Sequence, residues 1–154
     1  MTSTSILGLM RRAAVLAQPA ITWLEALQPA AQLAARLYVA QVFFMSGLTK
    51  LRDWDITLAL FANEYDVPLL PPEVAAFAGT AGELVLPVLL VAGLGGRFAA
   101  LGLSVVNIVA VLSLQGIEAA ALQQHQFWGS LLLALLLWGP GPWSLDALWR
   151  RRWQ

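Results

Sequence analysis

Four stretches of the chain are predominantly apolar over close to the length a membrane-crossing helix needs, about 20 residues, and proline, glycine or charge bounds each one. The first runs from about Pro29 to Leu51 and stops at Arg52 and Asp53. The second opens at Pro72, with Glu73 in its first turn, and closes about Leu94, before Gly95 and Gly96. The third spans about Arg97 to Gln115, and the fourth about Leu122 to Trp138, where Gly139-Pro140-Gly141-Pro142 ends it. Proline at a first helical position and glycine just beyond a last one are where each residue costs a helix least. A water-soluble bundle would carry a charged stripe on the outer face of every helix. Leu84 to Leu94 and Leu131 to Trp138 carry none, so the pattern predicts an all-α, integral membrane four-helix bundle.

The flanking segments follow a different pattern. Ile6 to Ala17 is apolar but short, interrupted by Arg11 and Arg12 and followed by Pro19, whereas a cleaved signal places its positive charge ahead of a longer apolar core. Residues 1–28 therefore read as an uncleaved, interfacial amphipathic helix continuing through Trp23, Leu24 and Leu27. Between the first two spans, Trp54, Leu58 and Phe61 recur at helical spacing ahead of a stiff apolar run from Val67 to Pro72. That loop is expected either to cap the outer mouth of the bundle or to anchor in the interface. The resulting organisation is an N-terminal segment (1–28), a four-span domain (29–146, with helices about 29–51, 72–94, 97–115 and 122–138) and a basic cytoplasmic tail (147–154).

Composition agrees with a lipid solvent. Apolar residues make up 59% and charged residues 12%, against roughly half and a quarter in soluble domains. Nine basic and nine acidic side chains cancel, leaving no electrostatic footprint for a nucleic acid. The absence of cysteine excludes disulfides, thiolate metal sites and thiol exchange within this chain. With one histidine, His125, a histidine metal site would need another chain or several carboxylates, so no metal is expected, and no catalytic constellation stands out. Arg11, Arg12, Arg97, Arg150, Arg151 and Arg152 collect on the side holding both termini, which is thereby expected to be cytoplasmic. Asp53, Asp55, Glu64 and Asp66 outnumber Arg52 on the other side. Trp54, Trp138 and Trp143 fall where amphipathic rings prefer the membrane interface.

Ionisable and amide groups inside a bilayer each cost several kcal/mol unless paired, so these few residues carry the functional information. Arg36, Ala40, Phe43, Gly47 and Lys50 share one face of the first helix, and Ser104, Asn107, Val111 and Gln115 form a stripe on the third. A rise of about 1.5 Å per residue puts Glu83 and Asn107 near mid-membrane, Arg36 roughly 9 Å towards the cytoplasm and Lys50 roughly 12 Å towards the outside. Both cations can lean towards Glu83, and Arg36 is the expected partner because its planar group bonds a carboxylate in pairs. Such a pair either fixes helix packing or handles protons beside a polar pocket. Lys50, Gln115 and His125 are expected to meet at outer-leaflet level under the capping loop. There His125 is either a donor to a quinone carbonyl or proton relay, or a helix-end histidine facing headgroups.

Several segments resemble the DoxX family of small four-helix bacterial membrane proteins. They are Arg36-Leu37, Phe43 through Leu51 (FFMSGLTKL), Glu83, Arg97 with Ala99-Ala100, and the closing Gly139 through Asp146 (GPGPWSLD). The resemblance implies a multi-pass protein of the bacterial cytoplasmic (inner) membrane, linked through its DoxD relatives to quinone-coupled oxidation of sulfur compounds and to membrane redox complexes. The loop from Leu60 to Pro72 also looks like a branch encoded beside machinery for metal-binding modified peptides, which implies a role in metal or oxidative stress. On these grounds the expected function is a redox-linked accessory subunit, not an enzyme on its own. It binds quinone or a similar lipophilic ligand through Arg36, Lys50, Glu83, Asn107, Gln115 and His125. The alternative is a non-catalytic membrane scaffold or partner for metal, oxidative-stress or modified-peptide systems, and the expected partner is another membrane protein or a second copy of the chain. A small permease ranks last, because no inverted repeat or broken helix provides for alternating access.

Overall fold

The computed structural model describes residues 3–114 and 116–153. Among them it is all-α, with six helices and no strand. α1 (Ser3–Arg52) is a single element of 50 residues. α2 (Trp54–Asn63), α3 (Pro72–Ala92), α4 (Gly96–Ser113), α5 (Ala119–Trp138) and α6 (Leu145–Arg152) follow. Of these, α3 and α4 are both long and apolar enough to cross a membrane.

The chain divides into two compact units, residues 1–31 and 32–154. In the first, Met10, Val15, Leu16, Ile21, Trp23, Leu24 and Leu27 are exposed along one helix. The helix expected to begin at Pro29 begins at Ser3 and continues through Pro19 and Pro29. A proline inside a helix removes one backbone bond and strains the preceding turn. Here Pro29 is flanked by leucine, glutamine and alanine, strong helix formers that carry the element across.

In the second unit, Val39, Ala40 and Phe43 of α1 pack with Leu90 of α3, Ala99, Ala100 and Leu103 of α4, and Leu132 and Leu135 of α5. Gly47 sets how closely α1 approaches α3. A Cβ added there would lie 2.9 Å from the Leu84 side chain and 3.1 Å from Glu83 Cβ, so only glycine lets the two helices touch at that level. Asp53 caps α2, its side chain accepting from Ile56 N at 3.0 Å. Phe61 of α2 then packs on Ala75 and Ala76 at the start of α3, with Trp54, Leu58, Tyr65 and Val67 around it. The expected capping segment is thus a short amphipathic helix seated on α3.

Polarity is distributed inversely to that of a soluble protein. Arg36, Thr80, Glu83 and Asn107 are buried, whereas Val74, Phe77, Val85, Val88 and Val91 of α3 and Phe98, Leu101, Val105, Ile108 and Leu112 of α4 are exposed. The exposed sets recur mostly at steps of three and four, so each is one continuous helix face.

Candidate functional site

Two polar clusters lie at opposite ends of the second unit. At the α2 end, a cavity of about 410 Å³ opens between α1, α3, α4 and α5, with Phe61, Tyr65 and Val67 forming one wall. Lys50, near the C-terminus of α1, donates to Glu83 Oε2 at 2.6 Å and to Ser46 Oγ at 3.0 Å. An ammonium has three N–H donors, so one is left for another acceptor. The Lys50–Glu83 contact is the only salt bridge among the described residues. It sits at this level because the Gly47 contact brings the last turns of α1 beside the middle of α3.

Across the cavity, α4 and α5 exchange two bonds. Asn107 Nδ2 donates to the His125 carbonyl at 3.0 Å, and His125 Nδ1 lies 2.8 Å from Asn107 Oδ1. With its amide nitrogen committed as donor, Asn107 presents Oδ1 as acceptor, so the ring carries its hydrogen at Nδ1 and Nε2 is left as an acceptor in the neutral form. The His125 ring stands edge-on to Trp128, with centroids 5.0 Å apart. Trp128 also lines the cavity, and its buried Nε1 has no hydrogen-bond partner among the described residues. A buried N–H without a partner costs about 1 to 3 kcal/mol. Tyr65, in the connection after α2, completes the polar lining, and burial, reinforced by the Glu64 and Glu83 carboxylates, pushes its phenol above the ordinary value.

The second cluster centres on Arg36, which is 1% exposed. Its Nε donates to Leu90 O at 2.8 Å, Nη1 to Pro140 O at 2.9 Å and Trp143 O at 2.8 Å, and Nη2 to Val91 O. Leu90 and Val91 belong to the last turn of α3, where helix carbonyls lack intrahelical partners and a cation is favoured. Gly93 then turns the chain with φ +65°. A Cβ there would meet Ser144 and the Arg36 guanidinium, so glycine meets a steric and a conformational requirement together. Asp146 closes the arrangement, its two carboxylate oxygens accepting from Gly95 N and Gly96 N, each at 2.9 Å, at the start of α4.

Residues 31–116 match the DoxX family model, which is more than half of the chain. The chain belongs to the DoxX family. Comparisons with curated proteins and with solved structures returned no match. Membership, together with the apolar α3 and α4, supports a DoxX-like membrane protein.

Within this DoxX chain the matched segment contains Arg36, Lys50, Glu83 and Asn107, while His125 and the closing Gly139-to-Asp146 segment lie beyond it. Lys50 and His125 line one cavity, as their expected meeting requires, and Glu83 joins them there. Gln115 lies outside the described residues. The expected Arg36–Glu83 pair does not form: Arg36 bonds backbone carbonyls, and Glu83 pairs with Lys50. Arg36 and Lys50 are fourteen positions apart, about 21 Å along a helix, so a single carboxylate serves one of them. Sequence reasoning missed the Asn107–His125 exchange as a pair and the roles of Trp128 and Asp146. A tryptophan one turn after the sole histidine was the available signal for Trp128.

Proposed function

We propose that this DoxX protein crosses the bacterial inner membrane four times and holds a quinone, or a lipophilic carbonyl compound of similar shape, in the cavity beside Lys50, Glu83 and His125, as an accessory subunit of a redox complex. The spans are the C-terminal half of α1 and α3, α4 and α5. The exposed apolar faces of α3 and α4 and the buried Arg36, Glu83 and Asn107 support lipid as the surrounding medium, because water would favour the reverse distribution. The arginine distribution favours a cytoplasmic location for the Arg36 end and an external one for the cavity end. Residues 1–28 fit an interfacial segment on the cytoplasmic side.

One observation carries the ligand reading: an apolar-walled cavity of about 410 Å³ holds an ion pair and is lined by Trp128, whose indole N–H is buried without an acceptor. Ligand sites are mostly apolar, with a few converging polar groups, and start at about 300 Å³. A carbonyl oxygen would accept from the spare N–H of Lys50, or from Trp128 Nε1 once the ring turns to present it, and a hydroxyl would donate to His125 Nε2. A quinone offers either group according to its oxidation state and supplies electron and proton carriage when bound. The chain's own residues contribute placement and charge. Lys50 donates to Glu83 Oε2 and keeps an N–H for a ligand, and the apolar walls limit the water around the pair.

Chromatography and mass spectrometry of lipid extracts from protein purified in mild detergent test this reading. Stoichiometric quinone is expected in the native chain, and at least about tenfold less in His125→Ala and Trp128→Phe, the effect of losing one good polar contact. Quinone at background level in the native chain would overturn the proposal.

A further inference from the structure

A groove at the cytoplasmic end takes no part in the function proposed above. It encloses about 600 Å³, and its lining includes Leu94, Arg97, Phe98, Trp138, Trp149 and Arg150. Arg97 uses one N–H on Leu137 O at 3.2 Å, and Arg150 uses one on Asp146 O at 3.3 Å. Both arginines are exposed, so each keeps donors for something outside the chain. The one acidic residue in the groove, Asp146, already has both oxygens on the amides of Gly95 and Gly96. The groove is therefore net positive, and Arg151 and Arg152 follow directly on α6.

Three aromatic side chains of the lining face outward: Phe98 is 66%, Trp138 71% and Trp149 67% exposed. Phe98 begins the exposed apolar face that continues along α4 through Leu101 and Val105. Two guanidiniums at the head of an apolar helix face, flanked by tryptophans, match a molecule with an anionic head and an acyl tail. Free phosphate would leave the aromatic rings without a partner. Arginine forks pair with phosphate oxygens, and tryptophan prefers the headgroup level. Basic pockets at the cytoplasmic ends of spanning helices recognise anionic headgroups in the same way.

We propose that Arg97 and Arg150 bind the phosphodiester of an anionic phospholipid in this groove, with its acyl chain along the Phe98–Leu101–Val105 face of α4. The site rests on the four-span reading but not on quinone binding. Occupancy would hold the α3–α4 turn, the segment after α5 and α6 together at one membrane surface.

Native mass spectrometry of the full chain in detergent, titrated separately with phosphatidylglycerol, phosphatidylcholine and inorganic phosphate, tests the proposal. Phosphatidylglycerol is expected to be retained about tenfold better than phosphatidylcholine, and about tenfold less well by Arg97→Gln/Arg150→Gln. Arg97→Lys/Arg150→Lys, which keeps the charge but not the fork, should fall between them. The control Arg151→Gln/Arg152→Gln should bind like the native chain. Equal retention of the two lipids would overturn the site, and so would equal loss in the control. Displacement of the lipid by phosphate at matched concentration would assign a free anion and overturn it too. Alkaline extraction of native membranes separates the two readings. A chain released into solution defeats the four-span reading, whereas a chain that stays in the membrane yet does not discriminate between lipids defeats only the lipid site.

Discussion

Buried Arg36 and half-buried Lys50 lie on the same face of α1 and are used in opposite ways. Arg36 spends its donors on four backbone carbonyls contributed by α3 and by the segment after α5. Lys50 spends its donors on two side chains, Ser46 and Glu83, and faces a cavity. Carbonyl dipoles are fixed by the fold and neither titrate nor move, so Arg36 itself is held in one arrangement. An ammonium with an unused N–H can turn to another acceptor, so Lys50 can take several. The comparison separates a charge that builds the bundle from a charge available to do something within it.

The largest expected effect breaks the first half of that comparison. Arg36→Leu leaves four carbonyls short of donors, at about 1 to 3 kcal/mol each with partial relief by water, so unfolding should become easier by about 4 kcal/mol or more. Arg36→Lys should recover little, because a point charge cannot reproduce a fork that spans two segments. Thermal unfolding in detergent measures both. A Lys variant as stable as the native chain would show that charge alone, not geometry, is what the site needs.

At the other end the effects should be smaller and should compensate. Glu83→Gln or Lys50→Met alone leaves an unmatched charge or its partner behind, at about 2 to 3 kcal/mol, while Lys50→Met/Glu83→Leu should cost less than the two single changes added together. A double-mutant cycle in the same unfolding assay reads the coupling. Strict additivity would mean that the 2.6 Å pair contributes nothing beyond its separate environments.

Smaller again is Asp146→Ala, which removes the carboxylate from the first amides of α4 and should cost about 1 to 2 kcal/mol. Asp146→Asn keeps one acceptor oxygen and should lose roughly half as much. Helix-resolved amide exchange checks this, with faster exchange confined to the first turn of α4. Global acceleration would show that Asp146 holds more than one helix end.

The sequence made the helices legible because their signals are local. Pro72 at the start of α3 and glycines after α3 and α5 mark boundaries within two or three residues of those observed. The exception is α1, where Pro29 reads as a start and is an interior residue. Proline is compatible with both positions, and only the continuity of the turns around it decides between them. The candidate residues were legible as a set, since any polar group in these stretches needs an explanation. Their partners were not, because which cation meets Glu83 depends on the contact of Gly47 with Leu84, a tertiary fact. Arg36 was read as a carboxylate partner because carbonyl acceptors leave no mark in a sequence.

The smallest effect sharpens the contrast, because it concerns a titratable side chain that lines the cavity at the open end. Tyr65 lies in the connection between α2 and α3, and burial first, then the charges of Glu64 and Glu83, raise its phenol above the ordinary value near 10. The folded chain therefore keeps the proton to a higher pH than the unfolded chain does. A raised folded-state pKa gives a contribution that is complete below the unfolded value and is lost as pH rises through the folded one. The retained phenol proton thus gives the native chain a component of alkaline stability loss that Tyr65→Phe lacks. Thermal midpoints of the two chains should run parallel below the ordinary phenol value and draw together as pH rises above it, the native chain falling faster. Glu83→Gln removes one source of the shift and should bring the phenolate absorbance transition back towards the ordinary value. With Tyr38 the only other tyrosine, Tyr65→Phe leaves a single transition against which the missing one is identified. If Tyr65 ionised at the same pH with Glu83 present or removed, the carboxylate would not reach across the cavity, and the open end would hold two independent groups in place of one linked site.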